Sequence, residues 1–222
     1  MLSDFPADTL HEVIPKFHDT SDRLRQFREA LEKDLAGRAA TVQPEIDFVL
    51  AHADCVSRVT DAIADGSVPL RVTHNDTKLN NVMLDEVTHE GVCVIDLDTV
   101  MPGSMLYDFG DALRFGASTG AEDEVDLSKI SFDLVYFEAF TKAFLEEVGE
   151  SITPRERELL PFSALLLTLE CGMRFLTDYL NGDTYFRIHR EHHNLDRCRT
   201  QFKLVADIEQ KLDQMAEIVA KY

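Results

Sequence analysis

Two short segments rich in β-branched residues interrupt a chain whose other apolar residues mostly follow helical spacing. Residues 72–82 contain the polar run HNDTKLNN at positions 74–81, and residues 92–98 read VCVIDLD. The polar stretch 85–91 between them suits the connection of a β-hairpin. We therefore expect the helices to surround a small hairpin that is flanked by one polar loop.

This polar loop has the spacing of a phosphoryl-transfer catalytic loop. Asp76 and Asn81 follow the pattern H-x-D-x-x-x-x-N, and Asp96 comes one hairpin later. The chemistry requires a carboxylate that accepts the proton of the attacking hydroxyl, and oxygen ligands for Mg²⁺. We assign Asp76 as the base and Asn81 with Asp96 as magnesium ligands. Turn capping, the commoner role of a lone Asp, does not explain the spacing, the hairpin and the paired carboxylates together.

Three neighbouring residues receive supporting roles. In a continuous strand, residues two apart face the same side, so Asp96 and Asp98 are expected side by side, with Asp98 as a further metal ligand. Lys78, two residues after the base, is assigned to contact the transferring phosphate. His74 is expected to anchor the loop by hydrogen bonds, because in this reaction class the proton goes to the aspartate.

The literal sequence Asp108-Phe109-Gly110 matches a kinase metal motif but stands in the wrong context. It follows a predicted Pro102-Gly103 turn and no hairpin, whereas Asp96 ends a β-branched strand. We expect Asp108 and Asp111 to cap or brace a helix that starts nearby, and to buttress the catalytic loop.

Apolar residues at three- and four-residue spacing predict helices over most of the remaining chain. The predicted helices cover residues 21–37, 44–65, 107–115, 132–148, 154–180 and 195–222. The first two are expected to form an antiparallel pair. The predicted fold class is α+β, mainly α, as a single lobe of residues 1–222. Its parts are a helical pair (1–66), the catalytic loop and metal hairpin (67–103) and a helical substrate-binding part (104–222).

Composition limits the classes of partner. With 22 Lys and Arg against 41 Asp and Glu, the net charge of -19 repels a nucleic-acid backbone. The four cysteines are widely separated and form no C-x-x-C pair, which predicts reduced and mostly buried thiols. The first residues do not resemble a signal peptide, and no window approaches the apolar length of a membrane span. We expect a cytoplasmic protein without nucleic-acid or membrane partners.

Three segments together resemble the aminoglycoside phosphotransferase and choline kinase superfamily. They are THNDTKLNNV (73–82), VIDLDTVMPG (94–103) and YDFGD (107–111), and IPKFH (14–18) and residues 169–186 extend the similarity. Within the superfamily the chain is most similar to N-acetylhexosamine kinases that phosphorylate the anomeric hydroxyl. The resemblance implies the C-terminal lobe of a protein-kinase-like fold, ATP as co-substrate, Mg²⁺ as cofactor and a sugar hydroxyl as acceptor.

Members of that superfamily hold ATP with an N-terminal lobe that has a glycine-rich strand pair and a lysine. No G-x-G-x-x-G occurs here, and Lys16 and Lys33 lie in Pro-flanked and helical contexts. Because positioning supplies most of the catalysis in this chemistry, we expect this chain alone to be nearly inactive. The face that such a lobe would cover is expected to favour self-association or a partner chain. A truncation, a shortened gene product and a split enzyme all remain open.

Acceptor-binding candidates lie mainly in residues 170–186, which mix ionic and aromatic side chains suited to a sugar. The candidates are Arg174, Asp178 and Tyr185 there, and Thr99 and Pro102 after the metal strand. Glu170, Arg174 and Asp178 also have the spacing of ordinary helix-surface ion pairs, and that interpretation stays open. The nearby histidines His189, His192 and His193 are expected to lie in a solvated segment, because no further ligand accompanies them.

Two other functions stay open. An aminoglycoside or aminoalcohol kinase is one, although the chain has no Trp for an aromatic cage around a quaternary amine. A non-catalytic kinase-like interaction module is the other, and the complete set of candidate metal ligands disfavours it.

Overall fold

The computed structural model describes residues 5–222. Its helices are α1 (Thr20–Lys33), α2 (Gln43–Ala51), α3 (Arg58–Ala64), α4 (Met105–Gly116), α5 (Leu134–Val148), α6 (Pro154–Leu180), α7 (His193–Glu209) and α8 (Leu212–Ala220). Its strands are β1 (Arg71–Thr73), β2 (Val82–Leu84), β3 (Gly91–Val94) and β4 (Met101–Gly103). The predicted class, α+β and mainly α, is confirmed.

Helix α6 forms the centre of the core. A capping box fixes its start, because Thr153 Oγ1 accepts from the amide of Glu156 while the Glu156 carboxylate accepts from the amide of Thr153. Helices α1, α4 and α7 pack around it. Its length and composition are those of a membrane span, so the expectation that no window approaches this length is wrong. However, 89% of its most apolar window is buried inside the protein, as in the core helix of a globular fold.

Two predicted helices are divided in the structure. The segment 44–65 forms two helices, α2 and α3. The break follows Ala51, because Nδ1 of the His52 side chain binds the Phe48 carbonyl, to which the His52 backbone amide would donate in a continuing helix. The segment 195–222 forms two helices, α7 and α8, which are separated by residues 210–211. At this break the Lys211 ammonium binds the Phe132 carbonyl. Both predictions of one continuous helix are therefore wrong.

The predicted antiparallel pair of the first two helices is also wrong. Helix α1 packs against α6, whereas α2 packs against α7. The first helix was predicted to reach residue 37, but α1 ends at Lys33, and the Leu35 side chain beyond it is 70% exposed. The core is thus organised around α6 rather than around an N-terminal helical hairpin.

The strands form two separate antiparallel pairs. Strand β1 pairs with β4, with Val72 opposite Pro102, and β2 pairs with β3, with Met83 opposite Cys93. The predicted hairpin over residues 82–94 is therefore present. Pro102 and Gly103 were predicted as a turn but belong to β4, a strand that tolerates proline because its sheet has only two strands.

The cysteines are less buried than expected. All four are free, but only Cys198 is fully buried, and Cys93 is exposed on the hairpin. The reduced state agrees with the prediction, while the expectation of mostly buried thiols is wrong.

Candidate active site

The catalytic loop is attached to helix α4 through Asp108. Its two carboxylate oxygens accept hydrogen bonds from the backbone amides of His74, at 2.9 Å, and Asn75, at 2.7 Å. Burial raises the pKa of Asp108, and these two amides offset part of the rise. Ser104, not Asp108, caps the helix. Of the two roles expected for Asp108, the structure therefore shows the buttress of the loop and not the helix cap.

Asp111 braces the second half of helix α4 and not its first turn. Its carboxylate lies 2.9 Å from the Arg114 guanidinium one helical turn later, and Arg114 also contacts Glu122. Because α4 begins at Met105, Asp111 stands too far along the helix to cap its free amides. The capping role expected for Asp111 is therefore wrong, and its contacts are to side chains.

Thr99 joins the segment after the hairpin to the catalytic loop. Its hydroxyl donates to the carbonyl of His74 at 2.6 Å, and its carbonyl accepts from the side-chain amide of Asn75 at 3.0 Å. Asn75 adopts a left-handed backbone conformation, with φ +65°. The polar groups of Thr99 are thus used within the protein, which leaves them unsuited to the acceptor contact expected from the sequence.

Asp76 lies between a cation and an amide. Lys78 Nζ is 2.7 Å from Asp76 Oδ2, and the Asn81 side-chain amide donates to the same oxygen at 2.9 Å and to the Asp76 carbonyl at 2.8 Å. Both groups that face the Asn81 amino group are acceptors, which fixes the amide orientation. Within residues 5–222 no donor bonds Asn81 Oδ1, so this hard oxygen remains available as a metal ligand.

Asp96 follows directly on a residue that is bonded to the catalytic loop. The amide of Ile95 donates to the carbonyl of Asn81 at 2.9 Å, and Nε2 of His74 donates to the carbonyl of Ile95 at 3.0 Å. His74 Nδ1 in turn accepts from the amide of Asp76. His74 thus connects the loop that carries the candidate base with the segment that carries the candidate metal ligand.

The expected alignment of Asp96 and Asp98 on one strand face is wrong. Strand β3 ends at Val94, Asp96 has φ +62°, and Asp98 lies in a 3-10 turn, Leu97–Thr99. Within residues 5–222 no group of three His, Cys, Asp or Glu side chains is placed to hold a metal ion. A metal here would accordingly rely on Asn81 and Asp96 together with ligands from outside the protein, and Asp98 does not share a strand face with Asp96.

A buried ion pair behind the loop was not foreseen from the sequence. Nδ1 of His18 lies 2.8 Å from Oε1 of Glu170, and Nε2 lies 2.8 Å from the carbonyl of Asn75. Thr20 donates to the other oxygen of Glu170. Burial alone would lower the pKa of His18, but the Glu170 carboxylate outweighs it and the net shift is upward. The sequence signal for this pair is weak, because Glu170 in an apolar stretch of α6 also has the spacing of a helix-surface ion pair with Arg174.

Two cavities adjoin at Phe17 and Arg174. The smaller, of about 50 Å³, contains Asp76 and Glu170, and the larger, of about 330 Å³, contains Arg23. Tyr185, which is 73% exposed, lies at the edge of the larger cavity. Of the acceptor candidates, Arg174 therefore lines the cavity that contains the candidate base, whereas Tyr185 lines only the larger one.

Asp178 and Pro102 are not placed to bind an acceptor with Asp76. Asp178 is buried, and its carboxylate accepts from the backbone amides of Thr184, Tyr185 and Phe186, so it orders the loop after α6. Pro102 lines a different cavity, of about 190 Å³, that contains neither Asp76 nor Arg174. The sequence spacing of Asp178 did not reveal that its side chain turns back onto the backbone.

The three histidines near α7 are not uniformly solvated. His189 and His192 lie in the exposed segment, but His193 is buried and its Nε2 is 3.0 Å from the Asp123 carboxylate. His192 Nδ1 contacts the Tyr179 hydroxyl. The expectation of a solvated segment is therefore wrong for His193, which instead connects α7 to Asp123 in the acidic segment 121–126.

Comparison with known families agrees with the interpretation of this site. The model of the phosphotransferase enzyme family matches residues 7–145, which is more than half of the chain. The matched part includes the catalytic loop, the hairpin, the segment with Asp96 and the whole of helix α4. This chain belongs to the phosphotransferase enzyme family.

Proposed function

We propose that this protein is a small-molecule kinase that transfers the γ-phosphoryl group of ATP to a sugar hydroxyl, with an N-acetylhexosamine as the first acceptor to test. The observation that carries the proposal is the position of Asp76. Its carboxylate is oriented by Lys78 and Asn81, and Asp76 lines a cavity that adjoins the larger one at Arg174. This arrangement lets an acceptor hydroxyl approach the carboxylate from the side of the larger cavity.

In this function Asp76 accepts a hydrogen bond from the attacking hydroxyl and takes its proton as the bond to phosphorus forms. The Lys78 ammonium, 2.7 Å from Asp76, keeps the carboxylate in place and adds positive charge where the phosphoryl group arrives. Asn81 fixes the second contact to the same oxygen. The hydrogen bonds that the loop amides donate to the Asp108 carboxylate supply the rigidity that this geometry requires.

The residues fit Mg²⁺. Asn81 Oδ1 and the exposed Asp96 carboxylate are hard oxygen donors without a competing ion pair among residues 5–222, and Mg²⁺ in kinases is held by one or two such groups plus phosphate oxygens. Bound Mg²⁺ neutralises charge that develops on the phosphates. Asn81 would then serve twice, through its amino group on Asp76 and through its oxygen on the metal.

The nucleotide base has an apolar surface beside these ligands. The hairpin side chains Met83, Val94 and Ile95 are 53%, 54% and 39% exposed, respectively. Within residues 5–222 the strands form only the two described pairs, so nothing covers this surface in the manner of a second lobe. We therefore propose weak ATP binding and slow turnover for the 222-residue chain by itself.

The test is phosphoryl transfer from radiolabelled ATP to a panel of sugars, with long incubation. We expect slow transfer that Asp76→Asn reduces by about a hundredfold or more, since general base catalysis contributes at least this factor. Asp54→Asn is the matched control, because Asp54 is exposed and makes no ion pair among residues 5–222. Rapid turnover would contradict the proposed weak ATP binding. Transfer that is unaffected by Asp76→Asn, or that occurs only to aminoglycosides or aminoalcohols, would contradict the proposed function.

A further inference from the structure

We propose that the acceptor carries an anionic group, a carboxylate or a phosphate, and that Arg23 and Arg174 bind this group at the end remote from the phosphorylated hydroxyl. The proposal rests on the proposed function, because it assigns the acceptor to the cavities that adjoin at Arg174. It refines that function, because it predicts that an anionic sugar is a better acceptor than the neutral N-acetylhexosamine.

The two arginines face one cavity from different helices. Arg23 is in the first turns of α1 and Arg174 is in the second half of α6, and both line the cavity of about 330 Å³. That volume is at the lower end of the range for small-molecule sites and suits a substituted monosaccharide. Arg174 also lines the small cavity with Asp76, so one acceptor molecule can meet both residues.

Arg174 is held in place without a counter-ion. Its guanidinium lies 5.7 Å from the ring centroid of Phe17 and 5.5 Å from that of Phe186. No carboxylate oxygen of residues 5–222 is within 4.0 Å of its nitrogens. Aromatic contacts on a guanidinium leave its N–H groups free to bind the oxygens of an anion in the plane of the group.

Arg23 is half-buried and also lacks an ionic partner among residues 5–222. Its Nη2 donates to the Phe17 carbonyl at 2.7 Å and its Nη1 donates to Gln26, while its Nε is buried without any hydrogen bond. Burial lowers the pKa of Arg23, and the nearby positive charge of Arg174 lowers it further. Two cations placed together and an unbonded buried donor are unfavourable unless an anion joins them.

The carboxylates near this cavity are already engaged. The Asp178 carboxylate accepts hydrogen bonds from three backbone amides and from the Asn194 side chain. The Asp22 carboxylate binds Arg25 and Gln26. The Glu170 carboxylate binds His18 and Thr20. None is free to receive an ammonium group. A polycationic acceptor such as an aminoglycoside therefore has no partner here, although the chain as a whole carries a net charge of -19.

The experiment measures binding of matched sugars to the 222-residue chain by titration calorimetry without ATP. The neutral probes are glucose and N-acetylglucosamine. The anionic probes are glucuronate and glucose 6-phosphate, which are the anionic counterparts of glucose, together with inorganic phosphate. We expect at least one anionic sugar to bind about tenfold or more tightly than glucose, because charge-assisted bonds to arginine are roughly twice as strong as neutral ones. Which of the two anions binds better identifies carboxylate or phosphate as the recognised group.

Substitutions locate the effect. Arg23→Gln and Arg174→Gln should each remove most of the preference for the anionic sugar, while Arg28→Gln, on an exposed position of the same helix α1, should not. Thr177→Asp places a carboxylate on the cavity wall without altering either arginine, and it should weaken anionic sugars while leaving glucose unchanged. This variant tests the idea even if an arginine substitution impairs folding.

Equal affinity for glucose and both anionic sugars would overturn the proposal, and so would an anion preference that survives both arginine substitutions. These outcomes are independent of the proposed kinase activity, because the titration contains no nucleotide. Asp76-dependent transfer to a neutral sugar without any anion preference would leave the proposed function intact and remove only this inference. Anion preference at Arg23 and Arg174 without any phosphoryl transfer would support this anion site and contradict the proposed kinase function.

Discussion

His18 and Glu170 form a buried ion pair, with 2.8 Å between Nδ1 of the imidazole and Oε1 of the carboxylate. The other ring nitrogen faces the carbonyl of Asn75, which is the residue before the candidate base. Since both neighbours are acceptors, only the doubly protonated ring satisfies both contacts. The pair therefore links the segment before α1, the core helix α6 and the catalytic loop through one charged side chain.

This pair predicts a specific pH dependence of stability. The pKa of His18 is raised above 6.5, so its contribution is complete below about pH 6.5 and is lost as the pH rises through the raised value. The pKa of Glu170 is lowered below 4.5, so its contribution is present above about pH 4.5 and is lost as the pH falls through the lowered value. The free energy of unfolding should therefore receive its largest contribution from this pair between these two limits.

The measurement is urea unfolding at about pH 5.5 and about pH 8.5. His18→Gln should lower the free energy of unfolding by about 3 kcal/mol at the lower pH, because it leaves the Glu170 charge buried without its partner. The loss should be smaller at the higher pH, and the exposed His11→Gln should change neither value. An equal loss at both pH values would show that folding does not raise the pKa of His18 and would contradict this prediction. The other charged residues around the same cavity are Asp76, Asp111, Arg114 and Arg174, and the His18→Gln substitution leaves them unchanged.

Removing the Asp108 carboxylate should loosen the catalytic loop. Asp108→Ala leaves the amides of His74 and Asn75 without acceptors, at a cost of about 1–3 kcal/mol for each buried group. Asp108→Asn keeps one acceptor oxygen and should cost less. Hydrogen exchange at the two amides, together with urea unfolding, measures the effect, and Asp213→Ala on the exposed face of α8 is the control. Unchanged protection of both amides in Asp108→Ala would show that the loop is held by other contacts.

Gly110 should be sensitive to the addition of a single methyl group. A Cβ there would come 2.8 Å from the carbonyl carbon of Ser163, where α4 crosses α6, and backbone atoms cannot move aside cheaply. Gly110→Ala should therefore cost about 1–3 kcal/mol of unfolding free energy. Gly116→Ala, at the end of the same helix with open space around it, should be neutral or stabilising by up to about 1 kcal/mol. Similar effects of the two substitutions on the thermal midpoint would contradict this packing.

The features that the sequence predicted correctly are those encoded locally. The predicted range 154–180 matches α6, because it was predicted from the helical spacing of apolar residues, which involves near neighbours only. The spacing of Asp76 and Asn81 is likewise a local property of one loop, and the structure shows their direct contact. Such patterns can be read without knowing what the segment packs against.

The features that were missed depend on distant parts of the chain. His18 and Glu170 are 152 residues apart, and no local pattern distinguishes a buried glutamate in a helix from an exposed one. The pairing of Pro102 with Val72 required knowledge of the partner strand. Asp178 seemed available for a ligand because the fold of residues 184–186 back onto its carboxylate is a tertiary contact.

The exposed hairpin leads to a prediction about association. We propose that its apolar side chains, Met83, Leu84, Val92, Val94 and Leu97, promote self-association, since monomers rarely expose such clusters without a partner. Sedimentation at increasing concentration should show dimers or larger species. The double change Val92→Thr and Val94→Thr should shift the chain toward monomer, while Val87→Thr, at the exposed hairpin turn, should not. A monomer at every concentration would contradict the proposal.

The proposed metal site makes Asp96 and Asp98 unequal. Asp96 follows directly on Ile95, whose backbone is hydrogen-bonded to Asn81 and His74, whereas Asp98 lies in the following 3-10 turn. Mn²⁺ binding in the presence of ATP, measured by water proton relaxation, should therefore weaken about tenfold or more in Asp96→Asn and much less in Asp98→Asn.

Asn81 should show a combined defect that separates its two roles. Asn81→Asp retains an oxygen ligand but places a second carboxylate 2.9 Å from the position of Asp76 Oδ2, where like charges repel. Asn81→Ala removes the ligand and the support of Asp76 together. We expect Mn²⁺ binding to survive in Asn81→Asp and to fall in Asn81→Ala, with phosphoryl transfer reduced in both. Equal Mn²⁺ affinity in the wild type, Asn81→Ala and Asp96→Asn would mean that the metal binds elsewhere, and the assignment of these two residues would then be wrong.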